Sequence, residues 1–475
     1  MAGIRHWVSQ MANSFSIPRV VVAGAASGIG KTTVMAGLAR ALLERGLKVA
    51  VFKCGPDYLD PTYHVRAAGR ACHNLDGWMM GRQAVLGTFN RGCVDADIAL
   101  IEGMMGLFDG ASPVSDEGST AEIAKWLSAP VMLVVDSSGI VRTLAAVVHG
   151  FTEFDRELRI AGVLCNRLGS QGHLELLRES VKQPPVLGGL PSNQALVVPE
   201  RHLGLRTADE AALPDSLFGR LGEAISQWCN LNAIIDAANT APPLECESSI
   251  TRQIVPAVRC KIGIAFDEAF HFYYEYNLAL LRSLGADLVY FSPISDQRLP
   301  DVDGIYIGGG YPELHASALA ANRSMREQIA SFAAAGGVVY GECGGLMYLS
   351  AGINTLEKQY FPMAGVIPAE TIMHKQLQAL GYVEVETETD SVIGPTGLRF
   401  RGHQFRYSEL KPLADLGQAY RMKRHYDGRV IPEGYQLKNV LASYVHAHWA
   451  SNPRIAERLV EVCTLTAANR KRTDY

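Results

Sequence analysis

The sequence lacks the features of a secreted or membrane-spanning protein. No stretch of it approaches the ~18 uninterrupted apolar residues that a membrane helix needs, and residues 1–17 hold no continuous apolar region of the kind found in a secretory signal. The nine cysteines are odd in number and unclustered, so they do not form a disulfide framework. These absences predict a cytoplasmic protein with reduced thiols.

An excess of positive charge is also missing. The 44 Lys and Arg residues are outnumbered by 48 Asp and Glu residues, which gives a formal net charge of −4. No global basic field would therefore draw the protein to nucleic acid or to anionic lipid. The chain contains no C-x-x-C pair, which argues against a structural zinc site. We expect no nucleic acid and no membrane among the binding partners.

What the sequence does contain is a regular alternation of strand-like and helix-like segments. Short apolar runs at residues 19–23, 98–101 and 131–135 are separated by helical patterns, and a second series of the same kind begins at residue 261. Continuous apolar strands joined by helices are typical of a parallel sheet that is covered on both faces. The sequence therefore predicts an α/β fold.

The two alternating series predict two domains joined by a linker. The chain has 475 residues, which is long enough for two large domains. Residues 239–258 break the alternation and contain three prolines, which is typical of a linker. The predicted organisation is an N-terminal extension at residues 1–17 that is expected to be disordered, a first domain at 18–238, the linker at 239–258 and a second domain at 259–475.

A glycine-rich segment follows the first predicted strand and opens the first predicted helix. Residues 24–33 read GAASGIGKTT, and glycines in such a loop let backbone N–H groups converge on phosphate oxygens at the positive end of the helix dipole. The Lys31 ammonium would reach the β- and γ-phosphates of a nucleotide, and the Thr32 hydroxyl would bind Mg²⁺. A turn that only packs the helix on the sheet is the alternative. The predicted nucleotide-binding residues of this loop are Gly28, Gly30, Lys31, Thr32 and Thr33.

Carboxylates follow two of the predicted strands. Asp57 and Asp60 come after the second strand, and Glu102 ends the strand at residues 98–101, so these side chains belong to the ligand-binding edge of an open parallel sheet. A hard cation that bridges phosphates takes one or two carboxylates together with a hydroxyl. We predict Thr32, Asp57 and Glu102 as metal ligands and Asp60 as a catalytic residue that positions or polarises the substrate. A turn or cap role is the alternative for each Asp.

An asparagine at the end of a later strand is a candidate for contacting the base of the nucleotide. Asn166 is predicted to follow the strand at residues 160–165. Its amide can donate a hydrogen bond to the adenine edge and accept one from it at the same time. We predict Asn166 as a nucleotide-binding residue, with a role in a strained turn as the open alternative.

One cysteine lies in a sequence that is typical of an exposed nucleophile. Residues 338–347 read VVYGECGGLM, which places Cys343 between a predicted strand and a predicted helix, with small neighbours that permit a sharp turn. A helix N-terminus lowers the pKa of a thiol and favours the thiolate. We predict Cys343 as the catalytic nucleophile, and a buried structural thiol is the alternative.

Backbone donors and a base are needed to support such a nucleophile. Residues 308–310 are three glycines after another predicted strand, and N–H groups from this turn and from the elbow could stabilise an oxyanion. The predicted oxyanion donors are Gly309, Gly310 and Gly344. Near the C-terminus, His446 and His448 are predicted to lie on one face of a strand, and His446 is the predicted base.

Both halves of the chain resemble known families. Gly-Gly-Gly-Tyr-Pro-Glu at residues 308–313, Gly-Glu-Cys-Gly-Gly at 341–345 and a C-terminal histidine resemble the class I glutamine amidotransferases. The longer glycine spacing at residues 24–30 resembles the dethiobiotin-synthetase branch of P-loop enzymes. With further segments such as GPDYLDP at residues 55–61 and RGHQFRYS at residues 401–408, nearly the whole chain is similar to the cobyrinic acid a,c-diamide synthase family of cobalamin biosynthesis.

The resemblance implies a particular fold and reaction. The fold would combine an N-terminal dethiobiotin-synthetase-like P-loop domain, built on a parallel sheet, with a C-terminal class I glutamine amidotransferase α/β domain. The second domain would release ammonia from L-glutamine through Cys343, and the first would use ATP with Mg²⁺ to activate the a and c carboxylates of cobyrinic acid as acyl phosphates. The implied partners are the tetrapyrrole, L-glutamine and ATP, and a homodimer is left open.

The sequence departs from the family pattern at two functional positions. Glutaminases of this class usually carry a glutamate two residues after the base, where this chain has His448. The cobalamin branch resembles this sequence in lacking that glutamate, so His446 is expected to act in a dyad with Cys343. The family more often shows Gly-His-Glu-Phe-His where residues 402–406 read GHQFR, which leaves the Gln and Arg of this segment without an assigned role.

Other functions remain open on the sequence alone. The same chemistry could act on hydrogenobyrinic acid or on a nickel sirohydrochlorin, since a metal held by the substrate needs no protein ligand. A nucleotide-switched ATPase that binds a protein partner has a similar loop but an extra lysine near its start, where this chain has Ala25 and Ala26. A switch of this kind would have no use for the cysteine elbow at Cys343. A plain dethiobiotin-synthetase-like enzyme would account for the first half of the chain but not for the second.

Overall fold

The structure is a computed structural model that describes residues 13–198, 214–246 and 256–473. Within these residues the chain forms two compact units, of which the first ends at residue 246 and the second begins at residue 256. Part of the predicted linker, residues 247–255, and part of the predicted extension, residues 1–12, lie outside the described residues.

The first unit is built on a seven-stranded sheet flanked by helices. Its strands are β1 (Asn13–Phe15), β2 (Arg19–Gly24), β3 (Val49–Cys54), β4 (Cys72–Leu75), β5 (Ile98–Glu102), β6 (Val131–Asp136), β7 (Ile160–Leu168), β8 (Val186–Pro191) and β9 (Leu244–Cys246). Its helices are α1 (Lys31–Glu44), α2 (Asp60–Ala68), α3 (Gly77–Gly92), α4 (Thr120–Trp126), α5 (Thr143–Phe154), α6 (Gln171–Ser180), α7 (Asp215–Trp228) and α8 (Leu231–Asn239).

The sheet of the first unit brings three site-bearing segments to one edge. Its strands lie in the order β4-β3-β5-β2-β6-β7-β8, and every pairing between them is parallel. The central strands are short apolar runs whose residues are all buried, as expected for a parallel sheet covered on both faces. Because the carboxyl ends of parallel strands point the same way, the loop after β2 and the ends of β3 and β5 meet at that edge. The predicted parallel sheet is confirmed.

The structure differs from the expected extension and linker at their described ends. Asn13–Phe15, within the stretch expected to be disordered, form β1, which pairs antiparallel with β9 in the expected linker. The Phe15 ring also lies 5.9 Å from the ring of Phe89 on α3. Backbone pairing together with this aromatic contact holds both segments on the first unit.

The second unit is built on a ten-stranded sheet and a separate four-stranded sheet. Its strands are β10 (Cys260–Ala265), β11 (Ala286–Phe291), β12 (Gly304–Ile307), β13 (Val338–Glu342), β14 (Ser350–Asn354), β15 (Tyr360–Pro362), β16 (Ile367–Met373), β17 (Ala379–Thr387), β18 (Arg399–Arg406), β19 (Ser408–Pro412), β20 (Gln418–Arg424), β21 (Val430–Leu437), β22 (Val440–Ser443) and β23 (His446–Ala447). Its helices are α9 (Glu275–Ser283), α10 (Ala316–Ala321), α11 (Arg323–Ala334), α12 (Gly344–Leu349) and α13 (Arg454–Thr473).

The ten-stranded sheet of the second unit is parallel at one end and antiparallel at the other. Its strands lie in the order β11-β10-β12-β13-β22-β21-β20-β17-β18-β23. The first five are parallel, as predicted for those in the second alternating series, and the remainder pair antiparallel. Strand β13 delivers the cysteine elbow at its carboxyl end, and β18 pairs with β23, which carries the predicted base.

Candidate active sites

The phosphate-binding loop of the first unit has the backbone that its glycines predict. It connects β2 to α1, and Gly30 adopts a left-handed conformation with φ of 86° immediately before the helix. A side-chain carbon at Gly30 would lie 2.2 Å from Nδ2 of Asn166, so both conformation and space require glycine here. This geometry positions Lys31 and Thr32 at the helix N-terminus, as predicted.

The two side chains that open α1 are already held by polar partners. Nζ of Lys31 donates to the carbonyl oxygens of Met105 at 2.6 Å and Ala26 at 3.1 Å. Oγ1 of Thr32 donates to Oε1 of Glu102 at 2.8 Å. Two of the three predicted metal ligands therefore lie in direct contact, at the edge of the sheet where the phosphate loop begins.

A buried lysine joins the carboxylates at this edge. Nζ of Lys53, at the end of β3, lies 2.7 Å from Oδ2 of Asp60 and 3.2 Å from Oε1 of Glu102. Burial alone would lower the pKa of Lys53, but the charges of Asp60, Glu102 and Asp57 outweigh it and raise the pKa. The ammonium is thus held charged among the carboxylates. Sequence reasoning assigned Lys53 no role, although it begins the segment that supplied both predicted Asp residues.

A buried histidine completes the surroundings of Glu102. Nε2 of His64 makes a short hydrogen bond with Oε2 of Glu102, and both side chains are fully buried. Burial raises the pKa of Glu102, but Lys53 and His64 outweigh that effect and lower it, so the carboxylate is ionised. Sequence reasoning missed His64, although it lies four residues after Asp60 on α2 and so shares its helix face.

Asp57 shapes the turn that leads into α2. Its Oδ1 accepts hydrogen bonds from the backbone N–H groups of Leu59 at 2.9 Å and Asp60 at 3.1 Å. Asn74 braces the same turn, because its Nδ2 donates to the carbonyl oxygens of Gly55 and Asp57. This is the turn role left open for Asp57, and its role as a metal ligand stays a prediction.

Asn166 occupies a different position from the one predicted. It does not end its strand, since β7 continues beyond it to Leu168. Its Nδ2 donates to the carbonyl oxygen of Ile29 in the phosphate loop at 2.7 Å. The amide therefore supports the loop from the side through one of its two N–H groups, and its predicted contact with the adenine edge stays a prediction.

The predicted nucleophile in the second unit occupies a strained elbow. Cys343 lies between β13 and α12 with φ of 47° and ψ of −98°, a left-handed region that non-glycine residues rarely enter. Its Sγ lies 3.9 Å from the carbonyl oxygen of Phe405. Strain of this kind at a strand-to-helix turn is typical of a nucleophile that the fold presents to a reaction site.

The expectation that this thiol is ionised is wrong for the resting structure. Burial, followed by the charge of Glu313, raises the pKa of Cys343, and Arg406 and the Gly344 N–H oppose the shift in part, so that the pKa is about 12. Helix α12 spans only six residues, and its N-terminus does not overcome the cost of burying a charged sulfur. The side chain of Cys343 is therefore a thiol in the resting structure.

A glycine turn brings the elbow and the predicted base together. A side-chain carbon at Gly344 would lie 3.0 Å from the nitrogen of Gly310, and one at Gly309 would lie 2.4 Å from Cε1 of His446. The turn therefore contacts both segments. The Gly309 N–H already donates to the carbonyl oxygen of Phe272 at 3.3 Å, so Gly310 and Gly344 are the better candidates of the predicted set, and their role as oxyanion donors stays a prediction.

The predicted base is a buried neutral imidazole. Burial lowers the pKa of His446 to about 3, so its ring is unprotonated at neutral pH. His448 does not share a strand face with it, and the prediction on this point is wrong. Strand β23 ends at Ala447, and His448 instead caps the following 3-10 turn, with its Nδ1 accepting the N–H of Ala450 at 3.3 Å.

A buried carboxylate ties the nucleophile strand to the base strand. Oε1 of Glu342 accepts hydrogen bonds from the Tyr340 hydroxyl at 2.8 Å and the Ala447 N–H at 3.2 Å, and Oε2 accepts from the Tyr306 hydroxyl at 3.0 Å. From the other side, Nδ2 of Asn277 donates to the carbonyl oxygen of Ala447 at 2.8 Å. Strand β23 is therefore clamped on both sides. Sequence reasoning missed Glu342 in this role, although it immediately precedes the nucleophile.

Replacing Glu342 by Gln is expected to change how stability depends on pH. Burial raises the pKa of Glu342 from 4.5 to about 7, so the folded protein binds this proton more tightly than the unfolded chain does. That contribution to stability is complete below about pH 4.5 and is lost as the pH rises through about 7, with a slope of at most ~1.4 kcal/mol per pH unit. The E342Q variant has no such loss, so its melting temperature relative to the wild type should rise between about pH 5 and pH 8.

Thermal melts of both proteins across this pH range measure the effect. Glu313, whose pKa burial also raises to about 7, is present in both proteins and cancels. Glu327→Gln, a change at an exposed glutamate on α11, is the matched control and should show a constant difference. If the difference in melting temperature between E342Q and the wild type were also constant with pH, the raised pKa assigned to Glu342 would be contradicted.

Comparisons with known proteins match both halves of the chain. The family model described as "CobB/CobQ-like glutamine amidotransferase domain" matches residues 261–454, and the one described as "CobQ/CobB/MinD/ParA nucleotide binding domain" matches residues 20–205. With the P-loop unit and the cysteine-elbow unit, these matches define a glutamine-dependent amide ligase in which a nucleotide-binding domain and a class I glutaminase share one chain.

Curated relatives cover almost the whole chain. A cobyrinate a,c-diamide synthase of Leptospira interrogans is 51% identical over 452 residues, covering 95% of this chain and 99% of the relative. Proteins of the same name from Syntrophotalea carbinolica and Priestia megaterium are 46% and 40% identical, covering 94% and 96% of this chain and 99% of each relative. The chain belongs to the cobyrinate a,c-diamide synthase family, as its motifs indicated.

Family membership decides between the broad alternatives. The relatives match over both domains, which a plain dethiobiotin-synthetase-like enzyme would not, and a partner-binding switch ATPase is not favoured. The predicted fold class, the enzyme class and the use of ATP are confirmed at this level.

Proposed function

We propose that the enzyme amidates the a and c carboxylates of cobyrinic acid, taking nitrogen from glutamine and energy from ATP. The observation that carries this proposal is the convergence of Cys343, His446 and the turn at residues 309–310 in the second unit. A nucleophile, a base and backbone donors in one place suit amide hydrolysis, which a nucleotide-binding protein alone has no use for. The names of the relatives supply the substrate.

In the proposed glutaminase reaction, ammonia is released through a thioester. The Cys343 thiol passes its proton to His446, and its sulfur bonds to the side-chain amide carbon of glutamine. The N–H groups of Gly310 and Gly344 face the oxygen that becomes charged. The C–N bond then breaks, His446 gives the proton to the leaving nitrogen, and ammonia departs. Water attacks the thioester, releasing glutamate and restoring the thiol.

In the proposed ligase reaction, ammonia is consumed at an acyl phosphate. A carboxylate oxygen of the tetrapyrrole attacks the γ-phosphorus of ATP, and ADP leaves. Lys31 offsets the negative charge on the transferring group, since its Nζ lies at the phosphate loop. Ammonia then attacks the activated carbonyl carbon, and the amide and phosphate are formed.

The residues at the phosphate loop also fit a Mg²⁺ ion. Oγ1 of Thr32 and Oε1 of Glu102 are hard oxygen donors 2.8 Å apart, and Mg²⁺ bound to phosphates needs only one or two protein carboxylates. Among the described residues, no group of three or more His, Cys, Asp or Glu side chains is arranged to hold a metal. Thr32 and Glu102 would hold the ion, with Asp57 as the third predicted ligand. When bound, Mg²⁺ would neutralise charge on the phosphates.

The proposed partners are small molecules. They are the tetrapyrrole, L-glutamine and ATP, and the homodimer, like the absence of nucleic acid and membrane partners, stays a prediction. Across the described parts of the chain, no helix has both the length and the apolar character needed to cross a membrane. The cytoplasmic location predicted from the composition likewise stays a prediction.

Mass spectrometry of candidate tetrapyrroles tests the proposed substrate. The enzyme is incubated with ATP, Mg²⁺ and glutamine and with cobyrinic acid, hydrogenobyrinic acid or nickel sirohydrochlorin, and each amidation exchanges one hydroxyl for one amino group. We expect cobyrinic acid to gain two amides, with one ATP hydrolysed for each. Faster conversion of another tetrapyrrole would overturn cobyrinic acid as the substrate but would leave the proposed amidation chemistry in place. Failure to convert any of them, without release of glutamate, would overturn both.

A further inference from the structure

The predicted base of the second unit is stacked against another histidine. The rings of His446 and His403 lie 4.9 Å apart between centroids with 16° between their planes. The two residues are direct cross-strand partners in the antiparallel pairing of β18 with β23, and both are buried. The stacking of the two rings is therefore fixed by the register of the strands. A one-residue slip of either strand would move its histidine to the opposite face of the sheet.

The second ring is itself held in place. The Tyr274 hydroxyl and Nδ1 of His403 form a hydrogen bond of 3.0 Å, and Tyr274 is 1% exposed. The Tyr274 ring lies 4.5 Å from the ring of His448, the residue that stands where a glutamate usually completes the triad. Tyr274, His446 and His448 are thus the titratable groups that act on His403 in this layer.

We propose that His403 is a positioning residue for His446 and takes over the orienting role of the missing triad carboxylate. This inference rests on the proposed Cys343–His446 dyad. A triad carboxylate holds the imidazole in orientation and stabilises the imidazolium that forms during catalysis. Here the face of the His446 ring is confined by His403, and its edge is confined by Gly309, where no side chain fits.

The stack also suits the charge that His446 acquires. When the proton moves from Sγ of Cys343 to His446, an imidazolium forms beside the face of a neutral ring. Burial, with added effects from His446 and His448, lowers the pKa of His403, so His403 does not compete for this proton. An aromatic face next to a cation is attractive, more so where water is excluded. The Tyr274 hydrogen bond keeps that face in place.

Two substitutions at His403 test whether a flat ring is what matters at this position. One removes the ring, and the other keeps a flat ring that cannot transfer a proton. His403→Ala removes the ring, so we expect the kcat for glutamine hydrolysis to fall at least tenfold while KM changes less than about twofold, because a misplaced base affects chemistry more than binding. His403→Phe keeps a flat ring, so we expect its kcat to stay within about threefold of the wild type. The rate at which iodoacetamide alkylates Cys343 at pH 7–8 should fall with kcat in His403→Ala.

Three further variants keep the test decisive. Tyr274→Phe removes only the hydroxyl and should lower kcat less than His403→Ala does. His374→Ala, at a histidine in the same unit that pairs with Glu409, is the matched control and should leave kcat unchanged. His446→Ala should abolish glutamine hydrolysis. A cooperative thermal melt close to that of the wild type reports intact folding of the second unit in each variant, and amidation with added ammonia reports an intact first unit.

Each outcome bears on one proposal. Unchanged kcat and alkylation in His403→Ala would overturn the positioning role, and so would a His403→Phe variant as inactive as His403→Ala. If His403→Ala fails to fold, the His403→Phe and Tyr274→Phe results decide the question. Full activity in His446→Ala would instead overturn the proposed dyad, on which the positioning role depends.

Discussion

Replacing Cys343 by Ala is expected to abolish amidation with glutamine as nitrogen source while amidation with added ammonia continues. The sulfur is the protein atom that bonds to glutamine in the proposed mechanism, so its loss should lower the glutamine-dependent rate on the order of 10³-fold or more. The phosphate loop belongs to the first unit and Cys343 to the second, so ATP-dependent activation of the tetrapyrrole should persist. Rates of product formation with each nitrogen source measure both effects.

A second cysteine provides the control for this experiment. Cys229 lies at the end of α7, and its thiol contacts the carbonyl oxygen of Gly189 at 3.5 Å, so Cys229→Ala should leave both activities close to those of the wild type. Equal loss of the two activities in Cys343→Ala would argue against separate sites. Retention of both would show that another group attacks glutamine.

Replacing Lys31 by Ala is expected to remove amidation with both nitrogen sources. Both routes pass through the acyl phosphate, and Lys31 is the cation at the start of α1 that would meet the transferring phosphoryl group. Loss of such a charge from a phosphoryl-transfer site costs on the order of 10³-fold in rate. Glutamate release from glutamine should outlast the loss of amidation, because the cysteine site lies in the other unit.

An exposed lysine is the matched control for this variant. Lys48 lies just before β3 with its side chain in solvent, so Lys48→Ala removes the same charge outside the site and should amidate normally. If Lys31→Ala retained activity with ammonia, the phosphate loop would not be where the carboxylate is activated. A matching loss in Lys48→Ala would point to a general charge effect instead.

Local sequence patterns were enough to predict the parallel parts of both units and the two principal motifs. Runs such as RVVVAG in β2 are buried along their whole length, and buried parallel strands leave a continuous apolar signal in the sequence. The phosphate loop and the cysteine elbow each follow such a strand, so their chemistry could be predicted from order along the chain. The elbow at Cys343 is strained in the way its flanking glycines indicated.

Contacts that depend on register between distant strands could not be predicted in this way. His403 meets His446 only because β18 pairs with β23 in one register. Strands β17, β20 and β21 mix buried and more exposed residues and have no continuous buried run like those of the parallel strands. Lys53 and His64 meet Glu102 across three different elements. Spacing places His64 on the helix face of Asp60, but nothing local in the sequence shows that His64 or Lys53 contacts Glu102.

The state of the nucleophile was mispredicted for a different reason. The sequence showed a helix after Cys343, which favours a thiolate, but it did not show how deeply the sulfur would be buried. Burial raises the pKa of the thiol to about 12 and lowers that of His446 to about 3. The proton must therefore move between two groups that are neutral at rest, and the orientation of the imidazole becomes correspondingly important.

Isotope tracing in the complete enzyme tests most directly whether nitrogen freed in the second unit is used at an activated carboxylate. The substrate carries ¹⁸O in its carboxylates, glutamine carries ¹⁵N in its side-chain amide, and mass spectrometry follows the tetrapyrrole and the released phosphate. The proposed mechanism predicts one ¹⁵N in each new amide and one ¹⁸O in each phosphate released with it. Phosphate free of ¹⁸O would contradict activation as an acyl phosphate, and amides free of ¹⁵N would contradict glutamine as the donor.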